Sequence, residues 1–277
     1  MVGKDDDAAF QLFKKYTYHH DGDIRDWAYN GISNLNSYTA IAELTSRIGT
    51  ENSYYVRSHF PLYLKRIGLN WQGNKSIRLN LTSKDDHMAL FAIYNVELFA
   101  KQKKAFHIDI LEKYLVSDKG EFREAAAYAL GDIMSKESGG KLIDAYNNES
   151  RPFVKANIIQ ALGRIRYTMA MPLLIKEMKS DVFYIRINSA EALGIIKAQQ
   201  AIPTLIEALD DDEFNVASAS NKALENITKQ KVRDAKGLWS KKLWLKWWEE
   251  NKHKYEQLEE TSAPDVGTKA PTAAPAQ

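Results

Sequence analysis

Four segments of the chain align without a gap: REAAAYALGDI at 123–133, KANIIQALGRI at 155–165, RINSAEALGII at 186–196 and ASASNKALENI at 217–227. Their shared leucines, Leu130, Leu162, Leu193 and Leu224, stand 32, 31 and 31 residues apart. A period of this length means one supersecondary unit per repeat, none of which can bury its apolar face without a neighbour. Continuing the register toward the N-terminus brings in YVRSHFPLYLKRI at 55–67 with Leu64, and DIRDWAYNGISNL at 23–35 with Ile32. Between them and the regular part lies LFAIYNVELF at 90–99, with Leu98 in the column. Seven units result, and the step from Leu64 to Leu98 is the least regular.

Each unit reads as two helices. In the first, alanine precedes the leucine (Ala129, Ala161, Ala192, Ala223) and isoleucine follows three residues later (Ile133, Ile165, Ile196, Ile227). Leucine and isoleucine at i, i+3 share a helical face, and alanine leaves room for a close neighbour. Gly131, Gly163 and Gly194 near the end of these helices also let backbones approach. The second helix is shorter: KLIDAY at 141–146, MPLLIKEM at 171–178 and IPTLIEAL at 202–209, with Leu142, Leu174 and Leu205 in register. Pro172 and Pro203 fall where a helix start tolerates a missing N–H. The same pattern recurs as IDILEKY at 108–114 and QLFKKY at 11–16, so the sequence given opens halfway through a unit. Strand signals are weak, with SIRLNL at 76–81 the single candidate. The expected fold is all-α: a right-handed α-solenoid of about seven helical-hairpin repeats over 20–228. A half-repeat helix over 1–19 precedes it. A basic, Trp-rich capping helix over 229–258 closes it, and an Ala/Pro/Thr tail over 259–277 is expected to be disordered.

Composition adds mainly exclusions. Cysteine is absent, which removes disulfides, thiolate metal sites and cysteine nucleophiles. Thirty-eight basic against 36 acidic side chains leave a net charge of +2, with no global pull toward nucleic acid or anionic membrane. No apolar run approaches the roughly 20 residues needed to span a bilayer. The opening MVGKDDDAAF lacks the apolar core of a secretory signal. The cytoplasm is the default compartment, with a periplasmic or exported location if a signal peptide has been removed. A monomer is expected.

YIRINSAEALGII at 184–196, followed by AIPTLIEAL at 201–209, resembles the HEAT-like repeat of the phycobilisome-lyase type, an armadillo-like α-solenoid. The resemblance is strong over about 120–228, divergent over 20–119 and absent after 255. It implies the fold more sharply than the task. Members of the wider class are mostly interaction scaffolds, some handle bilin chromophores, and some distant ones are DNA glycosylases.

Three regions depart from the repeat. In GLNWQGNKSIRLNLTSKDD at 68–86 the second-helix stripe fades, and Trp71 is either a binding residue on an extended loop or a plug in a decayed repeat. In 229–254 nine basic residues face three acidic ones, and Trp244, Trp247 and Trp248 share one helical face beside Lys241, Lys242 and Lys246. A solenoid needs such a cap; lysine with aromatics also suits phosphate contact plus stacking, on nucleic acid or anionic lipid. In YTYHHDGDIRDWAY at 16–29, His19, His20, Asp21 and Asp23 match no metal-ligand spacing, and Asp23 reads as the cap of the next helix. No metal and no cofactor are called for.

Arg25, Arg57, Arg123, Lys155 and Arg186 occupy one position, seven residues before the leucine column, with Phe91 and Ala217 interrupting. Stacked repeats set such residues in a row about 10 Å apart. Asp23, Glu121 and Asp181 precede several of them, so the row reads as a ladder of inter-repeat ion pairs and helix-end contacts. The alternative is a guanidinium track for acidic peptide or phosphate. No nucleophile elbow, phosphate loop or zinc spacing is present, and the six histidines are scattered, with His87 after Asp85 and Asp86 marking a helix start. The expectation is a non-enzymatic scaffold whose second helices line a groove for a protein or peptide partner. A bilin-lyase-like or other HEAT-repeat enzyme is the alternative, and nucleic-acid binding through the Trp-rich end is a further one.

Overall fold

The computed structural model describes residues 4–35, 37–70, 81–98 and 104–255. Trp71 and nearly all of SIRLNL lie outside them. Among the described residues every regular element is helical. In chain order these are α1 (Lys4–Tyr16), α2 (Gly22–Ile32), α3 (Tyr38–Ile48), α4 (Tyr54–Ser58), α5 (Phe60–Asn70), α6 (Asp86–Tyr94), α7 (Lys104–Tyr114) and α8 (Gly120–Asp132). They continue with α9 (Gly139–Asn147), α10 (Pro152–Arg164), α11 (Met171–Glu177), α12 (Phe183–Ile196), α13 (Ile202–Glu207), α14 (Phe214–Thr228) and α15 (Lys241–Asn251). No helix among the described residues is long and apolar enough to cross a membrane. The chain forms two compact units, residues 1–229 and 230–277.

In the first unit α2, α4–α5, α6, α8, α10, α12 and α14 follow the first-helix pattern and α1, α3, α7, α9, α11 and α13 the second-helix pattern, and from α6 to α14 the two alternate among the described residues. Ile32, Leu64, Leu130, Leu162, Leu193 and Leu224 are fully buried, as are Leu142, Leu174 and Leu205 of the second helices. Burying a leucine contributes about 1.5–3 kcal/mol, so these two columns are a large part of the core. The glycine and alanine columns meet each other. A Cβ on Gly131, Gly163 or Gly194 would stand 2.8 Å from the Cα of Ala161, Ala192 or Ala223 in the next repeat. Successive first helices therefore touch backbone to backbone at one point per repeat. Each of these helices ends alike: Met134, Arg166, Lys197 and Lys229 adopt left-handed φ of 54–62°. The N–H groups of Ser135, Tyr167 and Ala198 then reach back to Leu130, Leu162 and Leu193 O at 3.0 Å. Pro152, Pro172 and Pro203 all sit in the first helical turn.

Two details of the expected register change. The Asp85 carboxylate accepts from the His87 and Met88 N–H groups and starts α6 at Asp86. Ala89 therefore takes the place expected for Phe91, and Val96, 1% exposed, takes the place expected for Leu98. The alanine position here is Asn95, fully buried, whose Nδ2 donates to Leu64 O at 3.2 Å and Phe91 O at 2.8 Å. This repeat joins its predecessor by an amide hydrogen bond where the later ones use bare backbone contact. Likewise α2 is capped by Asp21, which accepts from the Asp23 N–H at 2.8 Å, and Asp23 lies inside the first turn.

The second unit, taken by itself, holds α15. The Ser240 hydroxyl accepts from the Leu243 N–H at its start. Before it, the Asp234 carboxylate accepts from the Lys236 and Leu238 N–H groups around Gly237, whose φ of +79° requires a residue without a Cβ. Trp244 is buried and lies edge-on to Trp247 at 5.4 Å, while Tyr255 contacts both Trp247 and Trp248.

Candidate functional site

The arginine column resolves into a clamp repeated along the chain. The Arg25 guanidinium is bidentate on Glu51, at 2.8 and 2.6 Å, and donates through its remaining nitrogen to His19 O and His20 O. Arg123 does the same with Glu149 and the Ser117 and Asp118 carbonyls. Arg186 repeats it with Asp211 and Ser180 O. Each carboxylate lies 25 or 26 residues downstream and also caps the following helix. Glu149 accepts from Ser150 and Arg151 N–H, and Asp211 from Glu213 N–H. The helix starts at Arg151 and Glu213, which have no side-chain cap of their own, are served this way. The partners are thus Glu51, Glu149 and Asp211, where the sequence had suggested Asp23, Glu121 and Asp181. Burial raises the pKa of these three carboxylates, but the hydrogen bonds from the arginines and backbone outweigh it and hold them below the ordinary range. Four of the five guanidinium N–H donors are engaged at Arg25 and Arg123 and three at Arg186, and each charge is matched by its own carboxylate. Surface hollows lie beside Arg25 and Arg123, the latter of about 620 Å³.

Lys155, half-buried, places Nζ 4.8 Å from the Tyr146 ring centroid. Arg57 breaks the pattern. It is 6% exposed and reaches Glu124, 67 residues on, with Nε to Oε1 at 3.0 Å and a second, shorter contact from Nη2 to Oε2. Its Nη1 donates to Glu51 O at 3.2 Å, and its guanidinium lies 4.3 Å from the Phe153 ring centroid. Burial lowers the Arg57 pKa, but Glu124 more than compensates, so the group stays charged.

Arg57 is one wall of a groove of about 270 Å³. Tyr54, Arg57, Leu62 and Lys65 of α4–α5 face Glu124 and Tyr128 of α8, Phe153, Asn157, Gln160 and Arg164 of α10, and Asn188 of α12. Along one side runs a continuous stack. Tyr54 lies on Tyr184 with centroids 4.6 Å apart and planes 5° apart, Tyr184 on Phe153 at 5.0 Å and 3°, and the Arg57 guanidinium over the Phe153 ring at 4.3 Å. At the other end Lys65 pairs with Asp132 at 2.6 Å and Glu97 at 2.9 Å. Arg164 touches Asp132 at only 3.5 Å and stays one-third exposed, over the Tyr128 ring at 5.1 Å. Beyond Tyr54 a second hollow of about 270 Å³ continues between Tyr55 and Ile187, Asn215 and Lys222. Flat aromatic faces, side-chain amides and a half-open guanidinium suit an extended polypeptide, whose backbone offers alternating donors and acceptors.

First helices line this groove, whereas Glu112 of α7 and Lys141, Asp144 and Ala145 of α9, both second helices, line the hollow beside Arg123. Successive first helices meet at the Gly–Ala contacts. α4 also meets repeats far along the chain: Asn188 Nδ2 donates to the Tyr54 hydroxyl at 2.8 Å, and Asn215 Nδ2 donates to that of Tyr55. Of the sequence candidates among the described residues, Arg57 alone lines the groove. Arg25, Arg123 and Arg186 close the clamps, Trp71 lies outside the described residues, and Lys241, Lys242, Trp244, Trp247 and Trp248 belong to α15 of the second unit. Tyr54, Tyr128, Phe153, Asn157, Gln160, Arg164 and Asn188 were not anticipated. The available signal was an aromatic residue opening a first helix in several repeats: Tyr54, Phe153, Phe183 and Phe214. Elsewhere, exposed His59 pairs with Asp26 at 2.9 Å, and the His19 and His20 rings lie 4.3 Å apart.

Residues 140–225 match the family of HEAT repeats. No curated protein matches the chain. Among solved structures, Kap121p bound to Nup53p aligns with a TM-score of 0.50 and 12% identity, over 93% of this chain and 32% of that one. An engineered protein aligns at 0.47 and 19%, over 83% and 98%. The complex of CpcE and CpcF of phycocyanin lyase from Nostoc sp. PCC7120 aligns at 0.40 and 16%, over 82% and 90%. At these identities the likeness concerns the fold. The chain spans about a third of the length of Kap121p.

Proposed function

We propose that this HEAT-like repeat chain is a non-enzymatic interaction scaffold that holds a peptide segment of a protein partner in the groove between α4–α5 and the first helices α8, α10 and α12. The observation that carries the reading is the lining of that groove. An aromatic–guanidinium stack forms one side, and the half-exposed Asn157, Gln160 and Arg164 are presented from successive turns of α10. An extended peptide laid along α10 meets apolar faces for its side chains and amides for its backbone, the pattern by which grooves recognise chain segments. The ion pairs at either end, Arg57–Glu124 and Lys65–Asp132, hold the walls in place. The groove brings together no nucleophile with an adjacent base, which favours binding over turnover.

The test is affinity capture from host lysate with three forms of the chain: wild type, Gln160→Arg/Arg164→Glu in the groove, and Lys141→Glu on second helix α9. A discrete protein retained by wild type and Lys141→Glu but lost from the groove variant supports the reading. Equal retention by all three forms refutes it.

A further inference from the structure

Tyr54 and Tyr55 sit at the start of a helix only five residues long, separated from α5 by a break at His59. Their hydroxyls accept from Asn188 and Asn215, which lie 134 and 160 positions away on α12 and α14. Tyr54 lines both hollows of the first-helix face, so the two tyrosines stand between what would otherwise be one continuous channel across α10, α12 and α14. The slot that Tyr54 occupies is matched on two sides. Tyr184 offers a parallel ring face, and Asn188 offers an amide whose Oδ1 side remains for a further donor. Tyr55 is the looser of the pair, 47% exposed and tilted against Phe183 at 6.2 Å. Val56 and Arg57 of the same helix are buried and anchor its backbone, so what opens is the pair of tyrosine side chains, a local event that leaves the helix in place.

We infer that the slot between Tyr184 and Asn188 is a docking site for a tyrosine-bearing peptide, and that the chain's own Tyr54–Tyr55 pair occupies it in the unbound protein. This deepens the groove reading and rests on it. The segment 53–59, Ser-Tyr-Tyr-Val-Arg-Ser-His, is the ligand the fold already displays, so a partner carrying adjacent aromatic residues, at least one with a phenolic hydroxyl, fits the same pocket. A partner must displace the intramolecular pair, which lowers its apparent affinity by the fraction of molecules in which the slot is open.

The probe is a fluorescein-labelled peptide of the 53–59 sequence, with its Ala-Ala counterpart as control, titrated by anisotropy against the full chain. The Tyr54→Ala/Tyr55→Ala protein is expected to bind the tyrosine peptide on the order of tenfold or more tightly than wild type, and to ignore the control peptide. Adding Asn188→Ala is expected to abolish that gain. Equal affinity of wild type and double variant, or no binding by a double variant whose far-UV circular dichroism matches wild type, overturns the inference. If the double variant unfolds, Tyr55→Ala, which removes a half-exposed ring, replaces it, with a smaller gain expected and no gain refuting. Failure of the double variant to bind the peptide, while the wild-type chain captures a lysate partner that Gln160→Arg/Arg164→Glu loses, removes this inference and leaves the groove reading intact. Loss of groove specificity in the lysate assay removes the groove reading itself.

Discussion

Glu124→Gln removes one charge from a pair in which both side chains are nearly dry, Arg57 at 6% exposure and Glu124 at 5%. The guanidinium left behind keeps the Glu51 carbonyl and the Phe153 face, and neither carries a countercharge. Breaking a buried pair in this way costs about 3–5 kcal/mol, because the surviving ion remains desolvated. For a domain of this size about 2–4 °C of melting temperature accompanies each kcal/mol, so the midpoint is expected to fall on the order of 10 °C. The companion variant Arg57→Met/Glu124→Leu removes both charges and keeps the volume, and is expected to lie within about 1–2 kcal/mol of wild type, since an apolar replacement can match a buried ion pair. Thermal and urea unfolding of wild type, Arg57→Met, Glu124→Leu and the double variant give the coupling directly, with Glu124→Gln measured beside them. If Glu124→Gln melts with wild type while the double variant is badly destabilised, the pair is not desolvated as described and the reasoning fails.

Gly163→Leu is expected to destabilise by roughly 3 kcal/mol or more, because even its Cβ meets the Ala192 backbone at 2.8 Å and neither repeat can yield without separating from the other; calorimetry checks it, and an unchanged transition would contradict the close approach. Arg166→Gly is expected to stabilise by about 0.5–1 kcal/mol, since Arg166 is exposed and holds a φ of 54° that costs an L-residue and not glycine; equilibrium urea unfolding reads it. The clamp carboxylates Glu51, Glu149 and Asp211 are held below the ordinary range, so their contribution is complete above about pH 4 and is lost as the pH falls through their folded-state values. The melting temperature is therefore expected to be level from pH 7 to about 5 and to drop below about 4, with Glu149→Gln flattening part of the drop.

The repeat was legible because each of its columns answers to a strong local cause. Leucine marks the buried face, proline marks a helix start, and glycine paired with alanine marks the crossing point of neighbouring helices. Leu98 misled because it is leucine near the expected spacing, whereas the Asp85 cap sets the start of α6 and gives the position to Val96. The basic column was visible as a column, but its partners were not. The sequence shows acids on both sides of each arginine, and only the folded turn brings Glu51, Glu149 and Asp211 to the guanidinium. The groove was the least legible part. Arg57 with Glu124 and Tyr54 with Asn188 join residues 67 and 134 positions apart, across intervening repeats. Neither pairing leaves a mark in the local sequence pattern, because each depends on how several repeats stack in between.

The most direct measurement is site-specific photo-crosslinking with a benzophenone amino acid placed at Gln160 in the groove or at Lys141 on α9, followed by identification of the captured chain. The account predicts a single partner peptide crosslinked from position 160 and none from 141. A partner captured from 141 and absent from 160 would place the working surface on the second helices and contradict the central claim.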